Sequence, residues 1–377
     1  MKSIKDIENL SGKRVLVRVD FNLPMKDGKI LDDFRIKKAL GTITYLQKKG
    51  AIVILLTHME NKSEVDGNLK PIATRLKKYI PEAVFVETPI FSDETENILA
   101  GLKKGNIVLL QNLRREKGEK DNAPSFARAL SRYGDLFVNE AFSVSHRTHA
   151  SIVGITKHIE GYAGLNFLDE IKMLSKAFEP THPFLFILGG AKFETKIPLI
   201  KKFLKHADNT VIAGAIANDF FRAKGYEVGV SLVESTNFNI NTLLKNQNLI
   251  LPVDVEVIKG NKHRFTKPSD VAKDENIVDA GPKTIELLKD LISKSKFILW
   301  NGPLGKYENG NSLATEQLLK LIAKSSAESI IGGGDTVALI SKLKIEDSFG
   351  FVSTGGGSTL EFLDKGTLAG IKALNKA

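Results

Sequence analysis

The chain has 377 residues, 42% apolar and 26% charged, with a net charge of +10 and no cysteine. Those values describe a soluble globular protein too long for one ordinary core, so two domains are expected. They exclude disulfides, cysteine-ligated zinc and a thiol nucleophile, and the longest apolar runs, such as AIVILL (51–56), fall far short of the ~20 residues of a membrane helix.

The N-terminus MKSIKDIENL is polar throughout and carries no signal-peptide pattern, so a cytoplasmic protein is expected. In chain order, the first half offers strands at RVLVRV (14–19), AIVILLT (51–57), VFVE (84–87), NIVLLQ (106–111) and LFVN (136–139). Amphipathic segments such as RIKKALGTITYLQKKG (35–50), closed by a glycine, lie between them. GYAGLNFLDEIKMLSKAFEPTHP then reads as a linking helix ended by Pro180 and Pro183. The second half repeats the scheme with FLFILGG (184–190), TVIAG (210–214), NLILPVDVEVI (248–258), FILWNG (297–302), SIIGGG (329–334) and FGFVSTGGG (349–357). This alternation predicts an α/β protein of two doubly wound, Rossmann-like domains, each with a parallel sheet covered by helices on both faces.

In such sheets ligands bind beyond the carboxyl ends of the strands. The segments there are DFN (20–22), THMENK (57–62), NLRR (112–115) and EAFSVSHR (140–147) in the first half. The second half has GGAK (189–192), NGPLG (301–305), GGGDT (332–336) and STGGG (353–357). Nine of the eleven arginines lie between Arg14 and Arg147, and 22 of the 31 glycines lie after residue 150. One half is therefore rich in rigid anion forks and the other in bare backbone, which suggests a different ligand on each domain. The positive charge fits a phosphorylated metabolite or a nucleic acid, but no aromatic residues interleave the basic ones as a stacking platform requires.

A glycine-rich turn from strand to helix exposes amides at the positive end of the helix dipole, a ready phosphate site; it is also simply a tight turn. The P-loop and dinucleotide fingerprints, HExxH and GxSxG are all absent. Asp335, directly after Gly332–Gly334, either holds Mg²⁺ against phosphates or caps the helix that follows. STGGG has no such acid. Lys192 and Lys196 share one helix face if a helix starts there; the alternatives are an anion between them or a solvated face. Arg35 opens a helix, an unfavourable place for a cation. Arg114 and Arg147 are candidate anion forks, His58 a candidate donor, and His146 and His149 read better as local hydrogen-bonding groups.

The segments RVLVRVDFNLP, DDFRI, NLR, VNEAFSVSHRTHASIVGI, ILGGAKFETKI, LPVDV, DAGPKT, WNGPLGKYE, IIGGGDT and STGGGSTLEFL resemble the phosphoglycerate kinase family, in that family's order and over nearly the whole chain. The resemblance implies an enzyme that transfers the acyl phosphate of 1,3-bisphosphoglycerate to Mg-ADP by hinge closure, giving ATP and 3-phosphoglycerate. It implies a triose-binding domain (1–160), a linking helix and hinge (161–182), a nucleotide-binding domain (183–360) and a tail (361–377) returning to the first domain. By similarity, Asp20, Asn22, Arg35, His58, Arg114 and Arg147 would bind the triose. Lys196, Asn301, Glu308, Gly333, Gly334, Asp335 and Thr336 would bind ADP or ATP, with Asp335 on the magnesium. Arg35, Lys192 and the amides of Gly355, Gly356 and Gly357 would meet the transferred phosphoryl group. A monomer without nucleic-acid or membrane partners is implied.

Some positions depart from the family. HMENK (58–62) replaces its usual His-Leu-Gly-Arg-Pro, so Asn61 stands where a triose-site Arg is expected and Glu60 adds negative charge. Weaker 3-phosphoglycerate binding is expected unless Lys62 or Arg115 substitutes. Gln111, Glu140, Ser143 and Leu168 are smaller departures. The alternative reading is a nucleotide-binding pseudoenzyme with a decayed triose site.

Overall fold

The computed structural model describes residues 1–60, 67–234, 239–306 and 310–376; Asn61, Lys62 and Glu308 lie outside the described residues. The chain divides into two compact units, Met1–Lys172 with Lys365–Ala377, and Met173–Asp364.

The first unit runs β1 (Arg14–Arg18), a short hairpin of β2 (Met25–Lys26) and β3 (Lys29–Ile30), α1 (Phe34–Lys48), β4 (Ile52–Leu56), α2 (Lys70–Leu76), β5 (Val84–Phe85), α3 (Asp93–Ala100), β6 (Ile107–Leu109), α4 (Pro124–Ser131), β7 (Leu136–Asn139) and β8 (Gly161–Ala163), and leads into α5 (Leu165–Ser175). Six parallel strands form its sheet in the order β5-β6-β4-β1-β7-β8. Val15 pairs with Val53 on one side and Leu136 on the other. All five residues of β4 are buried, because helices cover both faces of a parallel sheet and leave no solvent face to alternate with.

The second unit runs β9 (Phe184–Leu188), α6 (Phe193–His206), β10 (Asn209–Ile212), α7 (Ala215–Ala223), α8 (Ile240–Leu243), β11 (Leu249–Ile250), β12 (Val255–Lys259), β13 (Lys262–Thr266), β14 (Asn276–Ala280), α9 (Pro282–Lys294), β15 (Phe297–Asn301), α10 (Leu313–Ala323), β16 (Glu328–Gly332), α11 (Gly334–Leu343), β17 (Phe351–Val352) and α12 (Gly357–Lys365). Its parallel sheet has the order β11-β10-β9-β15-β16-β17, the doubly wound order that reverses between its first and fourth strands. Phe184, Phe203 and Phe297 pack edge to face within it, with centroids 5.2–5.8 Å apart.

Two of the differences from the sequence reading concern the bounds of predicted elements. NLILPVDVEVI is two strands in two sheets: β11 pairs with β10, whereas β12 joins an antiparallel sheet with β13 and β14. Pro252 lacks an N–H for a ladder. Asp254, also between the strands, turns its buried carboxylate onto the Lys283 and Thr284 amides at the start of α9, at 3.0 and 2.7 Å. Second, GYA (161–163) is strand β8 rather than the start of the linking helix. The helix starts at Leu165 because side chains receive its first amides there. Leu165 donates to Thr42 Oγ1 at 2.8 Å, and Asn166 and Phe167 donate to the buried Glu140 carboxylate at 3.2 Å each.

The final helix α13 (Ala369–Leu374) belongs to the first unit. Ile371 and Leu374 are buried, and the Gly370 amide donates to the Ser145 carbonyl at 2.8 Å. A Cβ on Gly370 would sit 2.8 Å from Ser145 Cβ, so the helix seats directly behind the 142–147 segment.

Candidate active site

In the first unit the cluster starts at the carboxyl end of β1. Asp20 is buried and its Oδ2 lies 2.8 Å from Arg35 Nη1 on the first turn of α1. The Ser143 hydroxyl also donates to Oδ2, and the Asn22 amide to Oδ1 at 3.1 Å. Burial alone would raise the Asp20 pKa; Arg35, above all, outweighs it, and the carboxyl is held at about 2. Arg35 Nη1 also donates to the Asn22 carbonyl at 2.9 Å, so its fork is fixed by two partners. This answers the misplaced cation: Asp20, not the helix, holds it.

His58, at the end of β4, is almost wholly buried and lies 3.9 Å from Asp20 Oδ1. Burial, with Arg18 next to it, pushes the imidazole well below its usual pKa. It is neutral, so the contact to Asp20 is not an ion pair, and the Arg18 fork donates to its Nδ1 across 3.1 Å. Arg114 lies on a 3₁₀ turn (Leu113–Arg115) after β6, with its side chain only 6% exposed. It approaches His149 Nδ1 at 3.2 Å, Glu60 Oε1 at 3.4 Å and Glu119 Oε1 at 3.7 Å. Its Nε and Nη1 make no hydrogen bond. Burial and then Arg114 push His149 down to about 4, so it too is neutral. Arg147 reaches Glu60 Oε1 at 2.9 Å.

In the second unit the floor of the site is bare backbone at the sheet's reversal point. Gly189 directly follows β9 and Gly302 directly follows β15; the Gly189 amide donates to the Asn301 carbonyl at 2.9 Å. A Cβ on Gly302 would sit 2.6 Å from the Gly189 carbonyl oxygen, and one on Gly333 2.8 Å from the Gly302 nitrogen. No side chain fits between these turns, which accounts for part of the glycine excess in this half. Beside them opens a cavity of about 410 Å³, lined by Gly190, Ala191, Gly214, Asn218, Pro303 and Asp335 among others.

Lys192 and Lys196 do not share a helix face. Helix α6 starts at Phe193, and Lys192 precedes it as N-cap with φ 63° and ψ 64°. Lys196 is buried in the first turn and its ammonium donates to the Gly189 carbonyl at 2.5 Å. Burial depresses its pKa to about 8, against the pull of Asp335. The ammonium should therefore lose its proton as pH rises through about 8 in the ligand-free protein. A bound polyanion would raise that pKa, so any activity that needs the ammonium should have its alkaline limb at higher pH in kcat than in kcat/KM. Coincident alkaline limbs, or limbs unmoved in Lys196→Arg, would count against this role for Lys196.

Helix α11 opens with Gly333 (φ 98°) at its N-cap, and Asp335 lies inside the first turn rather than capping it. Gly334 is the first helical residue. Thr336 is fully buried with an unpaired hydroxyl, and Asn301, at the end of β15, is buried with an unpaired Nδ2. Gly355 donates its amide to Ser353 Oγ at 3.1 Å, whereas the amides of Gly356 (φ 53°) and Gly357 have no partner among the described residues.

Sequence reasoning missed the residues behind these groups. Arg18, fully buried in β1, donates to Ser151 Oγ at 3.0 Å. The same hydroxyl donates to Glu119 Oε1 at 2.7 Å, and Glu119 is buried near Arg114. Burial pulls Arg18 down to about 10, with Glu119 opposing. An arginine inside a buried apolar run was the available signal, since such a charge needs partners. Asn218, with an unpaired Oδ1, and Asp279, which burial pushes up to about 7, also face the cavity.

Comparison with known proteins agrees with this arrangement. The family model described as "Phosphoglycerate kinase" matches residues 4–366. Phosphoglycerate kinases of Dictyoglomus turgidum and Clostridium beijerinckii are 42% and 40% identical to it, each over 99% of this chain and 98% of the relative. The solved phosphoglycerate kinase structure from Pyrococcus horikoshii superposes with a TM-score of 0.87 at 30% identity, covering 100% of this chain and 98% of that one. That from Coxiella burnetii gives 0.81 at 35% identity, covering 99% and 98%. With two doubly wound units, an arginine cluster on one and a glycine floor on the other, this chain belongs to the phosphoglycerate kinase family.

Proposed function

We propose that the chain transfers the acyl phosphate of 1,3-bisphosphoglycerate to ADP, and reversibly makes that anhydride from ATP and 3-phosphoglycerate. The observation that carries the reading concerns buried polar atoms left without hydrogen bonds. Among the described residues, four of the seven such atoms, Arg114 Nε, Arg114 Nη1, Asn301 Nδ2 and Thr336 Oγ1, belong to residues singled out for triose and nucleotide. A buried donor left unpaired costs about 1–3 kcal/mol, so these atoms are best explained as waiting for ligand.

The first unit would hold the triose, with Asp20, Asn22, Arg35, His58, Arg114 and Arg147 around it. The two neutral histidines can donate or accept hydrogen bonds but carry no charge, which leaves neutralisation to the arginines. The second unit would hold the nucleotide over the glycine floor, with Lys196, Asn301, Gly333, Gly334 and Thr336. No general base is needed, because the carboxylate of 3-phosphoglycerate is itself the nucleophile in the reverse direction. Phosphoryl transfer asks the protein for alignment and charge neutralisation, and Arg35 and Lys192 are the cations for the group in flight. The substrates must be brought together away from water, so the reading requires closure of the units on both. Mg²⁺ fits Asp335: it takes one or two carboxylates and otherwise phosphates and water, and among the described residues no cluster of three acidic or histidine ligands exists to form a protein-only cage. Once bound, the ion would neutralise the nucleotide's phosphate charge. We further propose a monomer acting in the cytoplasm, without nucleic-acid partners.

The test is a coupled assay with ATP, Mg²⁺ and 3-phosphoglycerate. Turnover that stops when the cation is chelated is expected; nucleotide binding without turnover would make the chain a nucleotide-binding pseudoenzyme. Thr336→Val supplies a finer check. It removes an unpaired buried hydroxyl, so the ligand-free protein should gain about 1 kcal/mol in denaturant unfolding while the nucleotide KM rises roughly 5- to 10-fold. A variant less stable than wild type with unchanged KM would show that the hydroxyl serves the fold.

A further inference from the structure

Glu60 is the residue of HMENK that the function does not absorb. Its Oε1 lies 2.9 Å from Arg147 Nη1 and 3.4 Å from Arg114 Nη2, so one carboxylate oxygen bridges two forks. Its amide donates to Asn22 Oδ1 at 3.2 Å, which ties the residue to another member of the same cluster. The side chain is 39% exposed, whereas Arg114 is 6% exposed, with Glu119 Oε1 3.7 Å from its Nη1 on the buried side. Burial would raise the Glu60 pKa, but Arg147 and Arg114 outweigh it and keep the group an anion.

We propose that Glu60 is a specificity-determining residue, an internal counter-ion that stands in for the substrate's anionic group at Arg114 and Arg147 and must be displaced for substrate to bind. The inference rests on the function proposed above. A carboxylate offers one negative charge and two oxygens. A phosphate offers up to two charges and three oxygens, enough to engage the Arg147 and Arg114 forks together more strongly than one carboxylate oxygen does. Displacement is therefore favourable for a phosphate dianion and unfavourable for a ligand whose only anion is a carboxylate. Glu60 raises the KM for the true substrate and excludes the unphosphorylated acid.

Glu60→Gln keeps the shape and removes the charge. The KM for 3-phosphoglycerate should fall about 5- to 10-fold, the change lying in KM rather than kcat. Inorganic phosphate should become a tighter competitive inhibitor by a similar factor, and glycerate should inhibit the variant far better than wild type. A KM that is unchanged or raised, with inorganic phosphate no tighter, overturns the proposal and makes Glu60 a support for Arg147. Glu60→Asp, shorter by one methylene and still charged, should bridge less well and give an intermediate KM; it decides the matter if the Gln variant does not fold. If wild type shows no turnover, the function reading fails separately. Calorimetric titration of inorganic phosphate into wild type and Glu60→Gln then still tests Glu60, with tighter binding to the variant expected and equal binding fatal.

Discussion

Lys192→Gly should melt at a slightly higher temperature than wild type and turn over roughly 100- to 1,000-fold more slowly. The two effects have different causes at one residue. Lys192 is held at φ 63° immediately before α6, a conformation that costs a residue with a Cβ about 1–2 kcal/mol and glycine nothing. Glycine's extra freedom in the unfolded chain returns about half of that, leaving a net gain of about 0.5–1 kcal/mol, or ~1–4 °C. The lost ammonium, by contrast, would on the proposed function be a cation for the phosphoryl group in flight. Lys192→Ala separates the terms, because it removes the charge and keeps the strain: the same rate loss, without the rise in melting temperature. A Lys192→Gly enzyme within tenfold of wild-type kcat would remove Lys192 from the chemistry. One less stable than wild type would mean that the left-handed turn is held without strain.

Arg35→Ala should lower kcat by a similar roughly 100- to 1,000-fold and leave a signature in acid. Asp20 has a folded pKa of about 2 against 3.8 for an ordinary aspartate. Its contribution to stability is therefore complete above about pH 4 and is lost as pH falls through 2. The shift corresponds to about 2 kcal/mol, and Arg35 is the largest attractive cause. Without it the folded pKa rises, so wild type and variant should differ most above pH 4 and converge toward pH 2. Urea unfolding at pH 6 and pH 2.5 measures this. Arg35→Lys should recover part of the stability and little of the rate, since an ammonium keeps the charge but not the fork. A stability gap that is constant across that pH range would show that Arg35 acts elsewhere than on Asp20.

The parallel strands were legible because burial on both faces leaves nearly unbroken apolar runs: LFVN (136–139) and FILWN (297–301) are strands over those residues. Strand β13 was missed for the converse reason. KHRFT (262–266) is exposed at four of its five positions, so its sequence shows no buried face. GYA (161–163) was hidden by its length and by the helical pattern after it. At the site, residue types at strand ends gave Asp20 and Asp335 their candidacy, and a cation at a helix start gave Arg35 its own, since both are local properties. The supporting layer was not local. Glu119 sits in the charge-rich stretch EKGEKDN, which reads as solvated, yet it is wholly buried. Only the pairing of β1 with β7 and the return of the chain at Ser151 bring it to Arg18 and Arg114. The left-handed backbone at Lys192 was equally invisible, because a helix appeared to begin one residue earlier.

Helix α13 gives the protein an order of assembly. Ribosomal synthesis supplies residues 173–364 before the segment that completes the first unit, so the unit begun first is finished last. Until Ile371 and Leu374 arrive, the strip behind 142–147, from which Arg147 projects, stays uncovered. A nascent chain can thus own a finished second unit while its arginine cluster still lacks its backing.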